Sequence, residues 1–258
     1  MKRQDPSPYQ SPGWLVITVS LGAFFVLWFL AAWRTGDETV LPRPDVVAAV
    51  FWEELTQGPL LGHLWATLRR VLLAFGLAMG IGAVLGFVLA RRPALDRWAN
   101  PWVVVILNIP ALVVIVLCYL WIGLNEVAAI TAVTVNKTAM VLVTVREGAR
   151  GLSRPLADMA QVYRMPPLAE FRHVTLPQLA PFLSAAARNG IAVIWKIVLV
   201  VEFLGRSNGI GFQIHMYFSL FDTAHVLAYA ASFVAIMLVI EYVALRPLDQ
   251  VAGRWHAR

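Results

Sequence analysis

The chain contains 258 residues, of which 59% are hydrophobic and only 14% are charged, and its formal net charge is +6. Soluble domains are nearer half apolar and a quarter charged, so this composition excludes an ordinary soluble domain and indicates a membrane protein. The single cysteine, Cys118, excludes an intrachain disulfide, and we expect it to pack as a small hydrophobic residue.

Six apolar runs are long enough to span a bilayer, because about 20 helical residues cover its hydrocarbon thickness. These runs lie at residues 14–33, 64–90, 98–122, 127–145, 179–204 and 224–245. None of them shows the alternation of period two that is typical of a transmembrane β-barrel. The sequence therefore predicts an all-α membrane protein with about six transmembrane helices.

Two of these runs carry residues that predict local structure. Four glycines in the second run would let a neighbouring helix approach closely, namely Gly76, Gly80, Gly82 and Gly86. Asn108 and Pro110 interrupt the third run, and such breaks are tolerated where protein or a water-lined cavity satisfies the freed backbone groups. We expect a broken helix at this point.

The polar segments divide the chain further. The predicted organisation is a tail at 1–13, a first transmembrane helix at 14–33, an outer segment at 34–63, a core at 64–245 that includes a polar stretch at 146–178, and a tail at 246–258. Apolar residues at helical spacing within the outer segment predict a surface helix at Pro44–Thr56.

Lysine and arginine set the orientation of membrane proteins, because cytoplasmic loops carry an excess of both. If the N-terminus is cytoplasmic, the inside segments hold 14 of the 21 basic residues and the outside segments hold five. The other two, Lys137 and Lys196, lie within spans. We therefore predict that both termini and the stretch 146–178 are cytoplasmic, and the basic excess requires no nucleic acid.

The stretch from Arg150 to Pro181 predicts a pair of short helices on the membrane surface. Ser153 is a helix N-cap candidate followed by Pro155 in the first turn, and Pro166 and Pro167 break the helix. An apolar stripe runs along the first helix, at Leu156, Met159, Ala160 and Tyr163. This stripe either contacts a partner or lies on the cytoplasmic face of the bundle itself.

The segment LADMAQVYRMPPLAEFRHVTLPQLAP resembles the EAA loop of ABC importer permeases. Asp158 stands at the acidic position, Ala160 at the second small residue and Leu176-Pro177 at the closing pair. LPRPDVV, LRRVLLAFGLAMGIGAVLGFVLA, IPALVVIVLCYLWIGLNE and WKIVLVVEFLGRSNGIGF resemble further segments of the branch that imports nitrate, sulfonates and taurine. Arg164 replaces the loop glycine, which would allow a positive φ, and Met159 replaces a usual alanine.

This resemblance implies a type I importer permease in the bacterial inner membrane with a cytoplasmic coupling-helix loop. It implies a homodimer that works with a separate ATPase and a periplasmic or lipoprotein substrate-binding protein. The implied coupling residues are Asp158, Met159, Ala160, Tyr163, Arg164, Leu168, Phe171, Leu176 and Pro177. The sequence has no G-x-x-x-x-G-K-[ST] phosphate loop, so we expect ATP and Mg in the partner ATPase and no cofactor in this chain.

Polar residues within the runs are candidates for a substrate path, because charges at mid-bilayer depth usually face protein or water. The candidates are Asn108, Asn136, Lys137, Lys196 and Glu202. The two lysines favour a path for a small anion such as a sulfonate, nitrate or carboxylate, and the structural alternative is a buried pair such as Lys196 with Glu202. The two asparagines are alternatively hydrogen-bond partners between helices, and GRSNGIGF is either a gate or a plain turn.

Two other classes of protein compete with this interpretation. A secondary transporter would also use buried polar residues and broken helices, but it would not need the cytoplasmic helix pair. An intramembrane enzyme would need a nucleophile–base pair or a metal cluster, whereas the five histidines are scattered and there is no G-x-S-x-G motif. Both alternatives fit the sequence less well than a permease.

Overall fold

A computed structural model of the chain describes residues 14–240, and the predicted tails and the end of the sixth run lie outside the described residues. The described part is almost entirely helical and contains no strand, which confirms the all-α prediction. Its helices are α1 Trp14–Thr35, α2 Pro44–Thr56, α3 Leu60–Arg91, α4 Pro93–Asn108, α5 Ala111–Ile122, α6 Glu126–Arg150, α7 Arg154–Val162, α8 Pro167–Glu170, α9 Leu176–Gly205, α10 Ile210–Ser219 and α11 Thr223–Ile240. A π-helical turn, Phe171–Thr175, joins α8 to α9.

Length and composition identify four helices in the described residues that can each cross a membrane, namely α1, α3, α6 and α11. The pair α4 and α5 makes a fifth span if it is counted as one, although the two helices are bent by 98°. The fifth predicted run is the 30-residue helix α9, which carries Arg188, Lys196 and Glu202 and is therefore less apolar than the others. This helix accounts for the difference from the six predicted spans.

The break between α4 and α5 lies where the sequence predicted it. The helix α4 ends at Asn108, Ile109 is extended with φ −72° and ψ 124°, and Pro110 precedes the first residue of α5. A residue before proline is pushed out of the helical region, which explains the extended Ile109. The Asn108 side-chain amide donates to the Val104 carbonyl oxygen at 2.7 Å, so it satisfies a backbone group within its own helix.

Two of the four glycines in α3 allow it to pack closely against α6. A Cβ at Gly82 would lie 2.7 Å from the Val141 Cβ, and one at Gly86 would lie 2.5 Å from the Leu142 carbonyl oxygen. Gly76 and Gly80 have open space around the same position. The predicted close approach is therefore confirmed at Gly82 and Gly86, which are four residues apart on one face.

The charged helix α9 lies at the centre of the bundle. Its buried residues pack with buried residues of α3, α5 and α6 in the largest apolar cluster, and Trp195 is 1% exposed. The Trp195 ring stacks on Phe233 of α11 with centroids 4.9 Å apart. Of the three charged residues of α9, only Glu202 is buried, whereas Arg188 and Lys196 are exposed.

The surface helix α2 has the bounds that the sequence predicted, and one acidic residue ties it to the bundle. The Glu54 carboxylate accepts hydrogen bonds from the Tyr229 hydroxyl at 2.6 Å and the Tyr217 hydroxyl at 3.3 Å. Because Tyr229 is fully buried in α11, this contact fixes α2 against the end of the bundle at which α3 begins.

We expect Gly86→Val to weaken the packing of α3 on α6, because the added side chain would meet α6 backbone. Overpacking of this kind costs roughly 1–3 kcal/mol. The matched control is Gly80→Val, where the space around the glycine is open. Thermal unfolding of the detergent-purified chain measures both variants, and equal melting temperatures for the two would contradict the packing assigned to Gly86.

Candidate functional site

The coupling segment, defined here as α7, α8 and the π-helical turn, begins at the residues that the sequence indicated. Ser153 is the N-cap of α7 and Pro155 lies in its first turn. The Ser153 side chain makes no capping bond, but its backbone N–H donates to the Gln178 Oε1 at 2.9 Å. Gln178 also donates to the Val174 carbonyl oxygen, so this side chain connects the start of α7 to the start of α9.

Arg164 adopts the left-handed conformation that a glycine would adopt more easily. The φ of Arg164 is 48°, and the two backbone bonds of a Schellman motif surround it. The Met165 N–H donates to the Ala160 carbonyl oxygen at 2.9 Å, and the Arg164 N–H donates to the Gln161 carbonyl oxygen at 2.9 Å. The turn therefore keeps the geometry expected of the family's glycine, and the arginine takes the strained position.

The structure separates the predicted coupling residues into exposed and buried ones. Tyr163 is 76% exposed and Leu168 is 79% exposed, on either side of the turn. Asp158, Met159, Arg164, Phe171 and Leu176 also have exposed side chains. Ala160 is only 1% exposed, so in this structure it packs within the chain and is not on the exposed surface of the segment. Helical spacing alone placed it on the stripe with Tyr163, but its methyl group faces inward.

Leu176 and Pro177 form the first turn of α9, directly after the π-helical turn. Phe171, at the start of that turn, contacts the Phe87 ring of α3 edge-on with centroids 5.9 Å apart. π-helical turns within helices occur frequently at functional sites. The coupling segment is thus continuous with the central helix α9 and also touches α3.

A cluster of charges holds α4 and α6 together beside the coupling segment. The Arg146 Nη1 donates to the Asp96 Oδ1 at 2.9 Å and to the Asn100 Oδ1 at 3.0 Å. Arg150 forms an ion pair with the other oxygen of Asp96. Arg146 and Asp96 are buried. The last turn of α6, which leads into α7, is therefore fixed to the first turn of α4.

Lys137 is a buried cation in the middle of α6. It is 4% exposed, and it lies roughly 17 Å from one end of the helix and 20 Å from the other. Its ammonium group donates to the Met140 Sδ at 3.3 Å, and no described carboxylate pairs with it. A charge in such a place is unusual, because buried charges are normally paired.

The other predicted path residues have different surroundings. Lys196 is exposed on α9, whereas Glu202 has no exposed surface and pairs with Arg70, so the Lys196–Glu202 pair considered above does not form. Glu202 is enclosed by protein, and a solute does not reach it in this conformation. Asn108 is exposed and Asn136 is partly buried. The two predicted cations differ in the same way, since Lys137 is buried and Lys196 is exposed.

Sequence reasoning missed Arg70, which is 2% exposed and the most extensively bonded cation of the described chain. Its Nη1 donates to the Glu202 Oε1 at 2.6 Å and to the Asn208 carbonyl oxygen at 2.9 Å. Its Nε and Nη2 donate to the two oxygens of Glu126, each at 2.8 Å. Arg70 lies within the second apolar run, which could have marked it as a buried cation. The count of basic residues instead assigned Arg70 to an outer segment.

The second oxygen of Glu202 fixes the glycine-bearing loop. It accepts from the Thr67 hydroxyl at 2.8 Å and from the Gly211 N–H at 3.0 Å. Gly209 has a φ of 110°, and a Cβ there would collide with the Glu202 carboxylate. The loop between α9 and α10 is therefore more than a plain turn, because its glycines allow backbone to pack directly on a buried charge.

Residues 78–248 match the family model described as the binding-protein-dependent transport system inner membrane component. The chain belongs to this family of ABC importer permeases. This membership makes the chain a transport subunit and not an enzyme, and it implies an ATPase and a substrate-binding protein as partners.

The permease is similar to proteins with different named substrates. It is 26% identical over 203 residues to Bacillus subtilis SsuC, which is named for aliphatic sulfonate transport, covering 78% of this chain and 74% of that protein. It is 29% identical over 244 residues to the riboflavin transport permease RibX of Chloroflexus aurantiacus, covering 94% and 91%. Its fold resembles that of the inward-facing methionine transporter MetNI, with a TM-score of 0.62, 19% identity and coverage of 76% and 95%.

We expect Arg164→Gly to stabilise the turn of the coupling segment by about 1 kcal/mol, because glycine removes the strain of a positive φ. Hydrogen exchange at the Met165 amide reports this change directly, since that N–H closes the motif. Exchange should slow by about fivefold in the glycine variant. Arg164→Ala is the control, because it removes the charge and keeps the strain, and an equal effect in both variants would contradict a backbone origin.

Proposed function

We propose that this permease forms the membrane path for a small anionic solute, such as a sulfonate, nitrate, taurine or a carboxylate. The observation that carries the proposal is Lys137, a buried cation without a carboxylate partner in the middle of a long central helix. An ammonium group in this position attracts an anion from an adjoining water-filled path. The similarity to SsuC supports a sulfonate-like solute.

A homodimer completes the path in this proposal. Lys196 is exposed on the central helix α9, and a charged residue on a lipid-facing surface is unfavourable by roughly 2.5–3.5 kcal/mol. If Lys196 faced a water-filled path between two copies of the chain, its ammonium group would stay hydrated. Each copy would then contribute Lys137 and Lys196, with Asn108 and Asn136 as neutral candidates.

The coupling segment faces the cytoplasm in this proposal, as the excess of lysine and arginine in the inside segments favours. Large apolar side chains on both sides of the Arg164 turn are solvent-exposed, and such patches mark interaction sites. We assign Tyr163 and Leu168 as the main contacts with the ATPase, with Asp158, Met159, Phe171 and Leu176 around them. ATP and Mg remain in that partner.

The permease transmits the ATPase's motion through the connections of the coupling segment. The π-helical turn leads into α9, and the Asp96 cluster fixes the end of α6 from which α7 begins. A displacement of the segment therefore acts on α6 and α9, which carry Lys137 and Lys196. A substrate-binding protein delivers the solute at the opposite end of the bundle.

Replacing Tyr163 and Leu168 together by aspartate should abolish ATP-driven transport and weaken co-purification of the ATPase at least tenfold. Charges at these positions would have to be desolvated on docking, while the exposed side chains contribute little to the fold of the chain itself. Tyr163→Phe with Leu168→Met is the matched control, because it keeps the apolar surface. Normal assembly of the aspartate variant with its ATPase would disprove this docking surface.

Lys137→Met should lower the uptake of anions by at least tenfold in proteoliposomes that contain the complete transporter. The expected cause is the loss of a buried positive charge in the middle of α6, and Lys137→Arg should retain most of the activity. The measurement compares ethanesulfonate, sulfate and riboflavin as transported probes. Unchanged anion uptake in the methionine variant, or uptake of riboflavin alone by the natural protein, would refute the anionic path.

A further inference from the structure

Three arginines converge on one carboxylate at the end of the bundle opposite the coupling segment. Arg70 makes two hydrogen bonds to the two oxygens of Glu126, and Arg69 donates to the Glu126 Oε1 at 3.1 Å. The Arg206 Nη2 lies 3.6 Å from the same oxygen. A guanidinium group that binds both oxygens of one acid is the usual geometry for recognising carboxylates and similar oxyanions.

The site, which we call the triple-arginine site, has a closed floor and an open rim. The side chain of Arg70 is 2% exposed and that of Arg206 is 10% exposed, so both belong to the floor. Arg69 is 53% exposed and Glu126 is 31% exposed. An anion arriving from the solvent therefore meets Arg69 first and can reach the other two guanidinium groups only if Glu126 moves aside.

The two carboxylates near Arg70 differ in how firmly they are held. Glu202 is fully buried, and Thr67 and the Gly211 N–H bind its second oxygen. Within residues 14–240, Glu126 is bound only through arginines. Glu202 is therefore a permanent counter-charge, and Glu126 is the exchangeable one.

The start of α6, the helix that carries Glu126, does not depend on this carboxylate for its N-cap. Asn125 caps α6, because its side-chain oxygen accepts from the Ala128 N–H at 2.9 Å. Glu126 also lies in the first turn, where the helix dipole favours a negative charge even in water. The side chain can therefore leave the arginines and remain stabilised at the rim.

The charge balance also favours an external anion. Three guanidinium groups share two carboxylates, Glu126 and Glu202, so the cluster retains an excess of positive charge. The Arg206 Nε is buried without a hydrogen-bond partner in the described part of the chain, while its Nη1 donates to the Leu124 carbonyl oxygen at 3.0 Å. A donor with no acceptor is unfavourable, and an anion with several oxygens would satisfy it.

We propose that the triple-arginine site is an entry site for the anionic group of the solute, and that Glu126 occupies it as an internal anion until the solute displaces it. The proposal rests on the anionic path proposed above. It assigns Arg69, Arg70 and Arg206 to a binding step at the opposite end of the bundle from the coupling segment. Glu202 keeps Arg70 in place during the exchange.

The test measures binding of ethanesulfonate to the purified permease by titration calorimetry in a chloride-free buffer. Glu126→Gln removes the internal competitor, so the affinity for ethanesulfonate should rise at least tenfold. Adding Arg69→Gln to this variant should reverse most of the gain. The matched control is Glu53→Gln, which removes an exposed carboxylate that lies on α2 without an ion pair to any described arginine, and its affinity should equal that of the natural protein.

Unchanged or weaker binding by a folded Glu126→Gln protein would overturn the proposal and make Glu126 a purely structural partner of Arg70. If that variant fails to fold, Arg69→Gln alone decides, because it leaves the bonds of Arg70 intact and should lower the affinity at least threefold. Equal affinity in that single variant would also overturn the site. Anion uptake by the natural protein, measured in proteoliposomes that contain the complete transporter, distinguishes a failure of this site from a failure of the anionic path.

Discussion

The buried ion pair between Arg70 and Glu202 is the interaction on which one end of the bundle depends. It joins α3 to α9, and through Asn208 and Gly211 it also fixes the loop and α10. Removing one partner of such a pair costs roughly 3–5 kcal/mol, because the other charge is left buried and uncompensated. The pair therefore constrains the fold. If α3 and α9 separated at this end, one of the two charges would become exposed or would remain buried without its partner.

The opposite end is held in a different way. There the Asp96 cluster joins α4 to α6, but Arg150 and Glu147 of that cluster are about half exposed, and exposed ion pairs contribute only about 0–1 kcal/mol. The coupling segment itself has one fully buried apolar side chain in α7, that of Ala160. The buried Arg146–Asp96 pair still fixes the end of α6 to α4, whereas α7 itself is held to the bundle by little buried surface.

Features that depend on neighbouring residues in the sequence could be predicted, while those that depend on distant partners could not. Apolar periodicity and turn residues gave the bounds of α2 and the break at Asn108, because these follow from local backbone preferences. The partner of Glu202 is 132 residues away at Arg70, and nothing in the local pattern distinguishes it from the nearer Lys196. Likewise, helical spacing put Ala160 and Tyr163 on one stripe, but the Schellman motif at the end of α7 leaves Tyr163 in solvent while Ala160 stays buried.

Two short helices outside the candidate spans end in the same strained way. The motif at Arg164 recurs after α10, where Phe221 has a φ of 56° and the Asp222 N–H donates to the Tyr217 carbonyl oxygen at 3.0 Å. Phe221 is 81% exposed, so its ring gains little from packing against the described chain. A glycine would relieve strain of about 1 kcal/mol at either position. In the described chain both side chains are exposed at these turns, so packing within the described residues does not offset the backbone strain at either position.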